Sequence, residues 1–158
     1  MAKQPIVSFK DEEEFLSVAK DWKDKLFLGD WLIKFTLRKE KNLGETEDGA
    51  EKLGLCAYDI LNKQAVISVA NGEGTIAEFT LVHELLHCLT EYGSCDNLDE
   101  EMDAIEAFYR RSIHSRLNQM AKSLLLAKYP NIDKEFFSIE LEAFVRSMEE
   151  ESEEAEVE

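Results

Sequence analysis

Two histidines four residues apart, His83 and His87, and a glutamate after the first of them, Glu84, stand in the stretch TLVHELLHCLTEYG at 80–93. The whole chain has three histidines, so two of them inside one apolar run is a concentration of chemistry. On a helix, positions i and i+4 lie on the same face one turn apart. Two imidazole nitrogens so placed reach one Zn²⁺ at about 2.0–2.1 Å. Glu84 projects about 100° round the axis from His83. It is poorly placed as a third ligand and well placed to take a proton from a water held at the ion. His-Glu-x-x-His on a helix is the pattern with that division of labour. The surrounding Ile76, Phe79, Leu81, Val82, Leu85, Leu86 and Leu89 are apolar nearly all round the helix, the mark of a central, buried element. Ionisable groups in such a place are costly unless paired or bound to a metal.

A catalytic zinc site needs a third protein ligand. Positions 88 to 113 contain no histidine, and Thr90 and Gly93 stand where a metzincin continuation needs glycine and histidine. The next helix offers the carboxylates Asp99, Glu100, Glu101, Asp103 and Glu106. If Met102, Ile105, Tyr109, Ile113 and Met120 form its inward stripe, Glu106 falls within that stripe, and Glu101 and Asp103 lie on the polar flanks. Glu106 is therefore the expected third ligand, with Glu101 and Asp103 in reserve; an i, i+4 pair with Arg110 is its ordinary alternative. Tyr92, Tyr109, Arg110 and His114 are candidate donors to a developing oxyanion, and the sequence does not choose among them.

The elements that must position these residues can be read from the pattern. Helical spacing of Phe15, Val18, Ala19, Trp22 and Leu26, with Ser8 and Asp11 as start signals, predicts a first helix from Ser8 to Leu28, stopped at Gly29-Asp30. WLIKFTLRK alternates as a half-buried strand. Two short strands near 53–58 and 65–69 are close enough to form a hairpin. Thr75 and Glu78 read as a capping box opening the motif helix, expected from Ile76 to about Tyr92 with Gly93 as its stop. Further helices are expected at about 99–128, ending before Pro130, and at about 133–148. The fold class is α+β: a small three-stranded sheet packed with about four helices.

Length fits one domain, 1–148. It is followed at 149–158 by EEESEEAEVE, an acidic tail with seven glutamates in ten residues, expected to be disordered. The net charge of −16 argues against a nucleic-acid partner, which needs a basic face. The odd cysteine count (Cys56, Cys88 and Cys95) without a CxxC pattern fits ordinary thiols in a reducing compartment. No apolar run has membrane-spanning length, and the N-terminus lacks the layout of a secretory signal. A cytoplasmic protein is expected.

TLVHELLHCLTEYG followed by EEMDAIEAFYRR resembles the gluzincin metallopeptidases. With WLIKFTL and GLCAYDILNKQAVISV upstream, the chain is similar to the small metallopeptidases of phage and prophage genomes, close to the minigluzincin type, over roughly Trp31 to Leu117. The resemblance implies a zincin-like fold, zinc on His83, His87 and a downstream glutamate, and peptide-bond hydrolysis with Glu84 as general base. It also implies a protein or peptide substrate extended along Ala65–Ala70, and a bacterial or phage-infected host cytoplasm. The chain lacks the asparagine-glutamate signature around the third ligand. Two other readings stand beside it. One is a noncatalytic metal-binding or protein-interaction module of phage origin that regulates a host or phage protein. The other is a regulatory protease acting on a repressor, or a SprT-like protease acting on DNA-bound proteins; the SprT-like reading would need a later histidine ligand and a basic DNA-binding surface, neither of which the sequence makes apparent.

Overall fold

The computed structural model describes residues 3–40, 42–45, 51–72, 76–90 and 104–132, with side chains of the last stretch from 112 onward. Its elements run α1 (Glu12–Lys25), β1 (Leu32–Arg38), β2 (Gly54–Asp59), β3 (Gln64–Ala70), α2 (Ala77–His87) and α3 (Ala104–Lys128). This is an α+β arrangement of a mixed three-stranded sheet and three helices among the described residues. The expected helix at 133–148 and the acidic tail lie outside them.

The sheet order is β1-β3-β2, with β1 parallel and β2 antiparallel to β3. The β2–β3 hairpin is as expected. Its turn is fixed by Asp59, whose Oδ1 accepts from the Leu61 and Asn62 amides. Ladders on both sides make β3 the centre of the sheet, and its side chains are correspondingly buried from Ile67 to Ala70. This corrects the placement of a substrate along Ala65–Ala70: both edges of that strand are already hydrogen-bonded, so no further chain can join it. The strand on the motif side with an outer edge is β2.

Helix α1 opens on an N-cap at Asp11, which accepts from the Glu14 amide at 2.8 Å, while Glu14 accepts from the Lys10 amide at 2.7 Å. This reciprocal pair satisfies two otherwise bare donors. The helix stops at Lys25, before Gly29. Phe27 takes the left-handed conformation (φ 57°) that glycine usually fills. The Phe27 and Leu28 amides close back on Asp24 and Lys23.

The start of α2 departs from the local capping box. Glu78 does not cap its own helix start, and Thr75 lies outside the described residues. The Ala77 and Glu78 amides donate instead to the carbonyls of Val7 and Ile6, 3.0 Å each. The Glu78 carboxylate accepts in return from the Ile6 amide at 2.9 Å. It also accepts from Trp22 Nε1 at 2.8 Å, Lys128 Nζ at 2.8 Å and the Tyr129 hydroxyl at 2.9 Å. Glu78 is fully buried. Asn71 pins the same N-terminal segment, bonding both the amide and the carbonyl of Phe9. Helix α2 touches β2, β3, α1 and α3, so these contacts set the position of the motif helix.

Removing one side of a buried charged pair costs about 3–5 kcal/mol. Glu78→Ala is expected to destabilise the fold by that much in urea denaturation. Asp11→Ala, at an exposed cap, should cost only about 1 kcal/mol. Equal costs for the two variants would deny Glu78 its central role.

Candidate metal centre

His83 and His87 project from one face of α2, their ring centroids 5.1 Å apart. The third ring beside them is His114 of α3, 5.4 Å from His83 and 5.1 Å from His87. One potential ligand atom from each of the three lies within 4.8 Å of the others. Nitrogens at about 2.0–2.1 Å from a tetrahedral ion are about 3.4 Å apart, so ligation asks for only a small contraction.

The structure thus groups His83 and His87 with His114, which the sequence pattern offers only as an oxyanion donor. The reason is helix phase. Met120 is 47% exposed, whereas Leu117, Ala121 and Leu125 are buried. The inward stripe of α3 therefore runs through Leu117, Ala121 and Leu125, and His114 lies one turn before Leu117. A stripe drawn through Met120 is turned by about 60–100°. The unbroken i, i+4 series 117-121-125 was the signal that could have found His114.

The side chains of Glu106, Tyr109 and Arg110, and all of Glu101, Asp103 and Tyr92, lie outside the described residues. Glu106 is eight residues before His114, about 12 Å of helical rise. A site completed by Glu106 and one completed by His114 would stand at different levels of α3.

All three rings are held neutral. Burial pushes His87 down to about 3, helped by the neighbouring His83 and His114. Burial and His114 push His83 down to about 4, against a hydrogen bond with Asn118 that favours its charged form. Burial also lowers His114. Neutral imidazoles keep the lone pairs that a metal requires. His83 Nδ1 is buried and has no hydrogen-bond partner, an arrangement that is costly in a dry protein interior. The donor set therefore fits a divalent ion. Because α2 ends at His87, the negative end of its dipole lies at the cluster, which also favours a cation.

Glu84 is 7% exposed, and its Oε2 is 4.0 Å from His87 Nε2. Cys56 and Cys88 are buried free thiols. A hydrogen bond with Cys88 and burial push the Cys56 thiol far up, so it stays protonated and does not compete for the ion. Cys95 lies outside the described residues.

Comparison with family models, curated proteins and solved structures gives no match to this chain. The resemblance to gluzincins therefore rests on the motif residues alone. The fold belongs to the α+β class, and no helix among the described residues is long and apolar enough to cross a membrane.

Histidines titrate near 6.5 when unfolded, and His83 and His87 near 4 and 3 when folded. Below pH 6.5 the unfolded chain therefore binds more protons, and stability falls as pH falls. The stability these rings contribute is complete above about pH 6.5. In metal-free protein the urea midpoint is expected to drop between pH 7 and 5, and the His83→Gln, His87→Gln double variant should flatten that drop. A midpoint independent of pH over this window would mean that the rings are not buried in neutral form.

Proposed function

We propose that this chain is a zinc-dependent peptidase in which His83, His87 and His114 hold the metal and Glu84 is the general base. The observation that carries this reading is the convergence of three neutral imidazoles from two helices beside a buried carboxylate. Three nitrogen donors plus one open position is the ligand count of catalytic rather than structural zinc. When bound, zinc supplies Lewis acidity to a scissile carbonyl and brings the pKa of a water toward about 7. Glu84 takes the proton of the attacking water and returns it to the leaving amine. Its near-complete burial keeps that carboxylate out of bulk solvent, where its proton transfers would compete with water.

The peptide substrate is proposed to lie along β2. Leu53 accepts from the Ala70 amide, and Leu53 is thus a hydrogen-bonded position of the antiparallel ladder. By alternation, the main-chain groups of Gly54 and Cys56 point away from β3, where an extended chain can meet them.

The ligand set supported here departs from the gluzincin pattern, because the third member is histidine rather than glutamate. A late histidine is what the SprT-like reading requires. The net charge of −16 still speaks against the basic DNA-binding surface that goes with it, and the proposal stays with a peptidase acting on free protein or peptide.

Zinc content by atomic absorption and cleavage of fluorescein-labelled casein test the reading together. Glu84→Gln should keep zinc and lose hydrolysis by about 10²–10⁴-fold. His114→Ala should lose zinc, and Glu106→Ala should keep it. Zinc loss in Glu106→Ala but not in His114→Ala would return the third ligand to the glutamate. Zinc binding without any cleavage would favour the noncatalytic module.

A further inference from the structure

Gly54, the first residue of β2, lies directly against the motif helix. A methyl group built on it would stand 2.6 Å from Glu84 Oε1, 2.7 Å from Glu84 Cγ and 2.6 Å from the Thr80 methyl Cγ2. All three distances are well inside van der Waals contact. Gly54 is not among the residues with positive φ, so conformational freedom does not call for glycine here. Space does: the carboxylate and stem of Glu84 occupy the volume a side chain would fill.

Resting on the peptidase reading above, we infer that Gly54 is a positioning residue for Glu84: the missing side chain forms the slot between the β2 edge and α2 that seats the general-base carboxylate. Three features converge on this residue. Its main-chain groups point to the outer edge of the sheet, its α-carbon abuts Glu84, and Glu84 in turn lies beside His87. The slot ties substrate register to proton transfer, because the strand that would receive an extended chain is the same strand that holds the carboxylate in place. A side chain at position 54 would drive Glu84 out of the slot without touching any histidine.

The test is a double-mutant cycle on the zinc-loaded full chain, read by thermal denaturation and by cleavage of fluorescein-labelled casein. Gly54→Ala is expected to lower the thermal midpoint by roughly 5 °C through overpacking. Most of that drop should vanish in a Glu84→Ala background and persist in a Thr80→Ser background. Gly54→Ala should retain one zinc per chain and lower kcat at least about tenfold, with KM changed less than about twofold. If the drop persists with Glu84→Ala and is relieved by Thr80→Ser, Gly54 merely clears the Thr80 methyl and the inference is overturned. Should Gly54→Ala fail to fold, the double variant with Glu84→Ala is expected to recover folding; failure of both overturns the inference equally. A wild-type chain that cleaves no casein would count against the peptidase reading, while the coupling between positions 54 and 84 would still decide whether the slot seats the carboxylate.

Discussion

The buried carboxylate of Glu78 gathers donors from three distant parts of the chain: the Ile6 amide, the Trp22 indole, and the Lys128 and Tyr129 side chains at the end of α3. A carboxylate fully removed from water is tolerated only when its oxygens are this well served. Burial and the Glu78 hydrogen bond push the Tyr129 hydroxyl upward, so it remains a neutral donor. Lys128 also sits 4.9 Å above the Trp22 ring. The donors come from the N-terminal segment, α1 and the end of α3, so satisfying one carboxylate requires that these and α2 all be in place together.

That requirement reaches the candidate metal centre through the pairing of α2 with α3. Glu78 near the start of α2 meets Tyr129 just past the end of α3. His87 at the end of α2 meets His114 toward the start of α3, and His83 meets Asn118. The two helices therefore run antiparallel, with a polar contact at either end of their shared stretch. Leu117, Ala121 and Leu125 join Leu81, Val82, Leu85 and Leu86 in one core. Apolar packing of this kind tolerates sliding by a turn more readily than hydrogen bonds do. The buried acid at one end thus fixes the register that brings the third imidazole to the other two.

What could be read from the sequence was local. His83, Glu84 and His87 share one short helix, Asp11 stands at the start of the first helix as its cap, and the β2–β3 hairpin closes across a tight turn. What could not be read required partners far along the chain. Glu78 carries the local signature of a capping box with Thr75, and nothing nearby reveals that Ile6 and Tyr129 claim it. The central position of β3 follows from β1 pairing with it across the intervening β2, a nonlocal choice that strand patterning leaves open. His114 was hidden because a stripe through Met102, Ile105, Tyr109, Ile113 and Met120 centres roughly 110° round the axis from Leu117, Ala121 and Leu125, whose phase His114 shares.

The neutrality of the three imidazoles has a chemical consequence. A donor set of neutral nitrogens leaves the full charge of a divalent ion to act on whatever takes the remaining position, whereas thiolates or carboxylates would offset part of it. The partial negative charge at the end of α2 is too weak to reverse this. The carboxylate of Glu84 is held to the side of His87 rather than within the ring cluster. Attraction between that carboxylate and the ion would draw Glu84 toward direct ligation. A slot that grips its stem against Gly54 opposes that collapse. On the peptidase reading, keeping Glu84 close to a bound metal while denying it the ligand position is the condition for proton transfer, and the edge of β2 would supply the mechanical restraint.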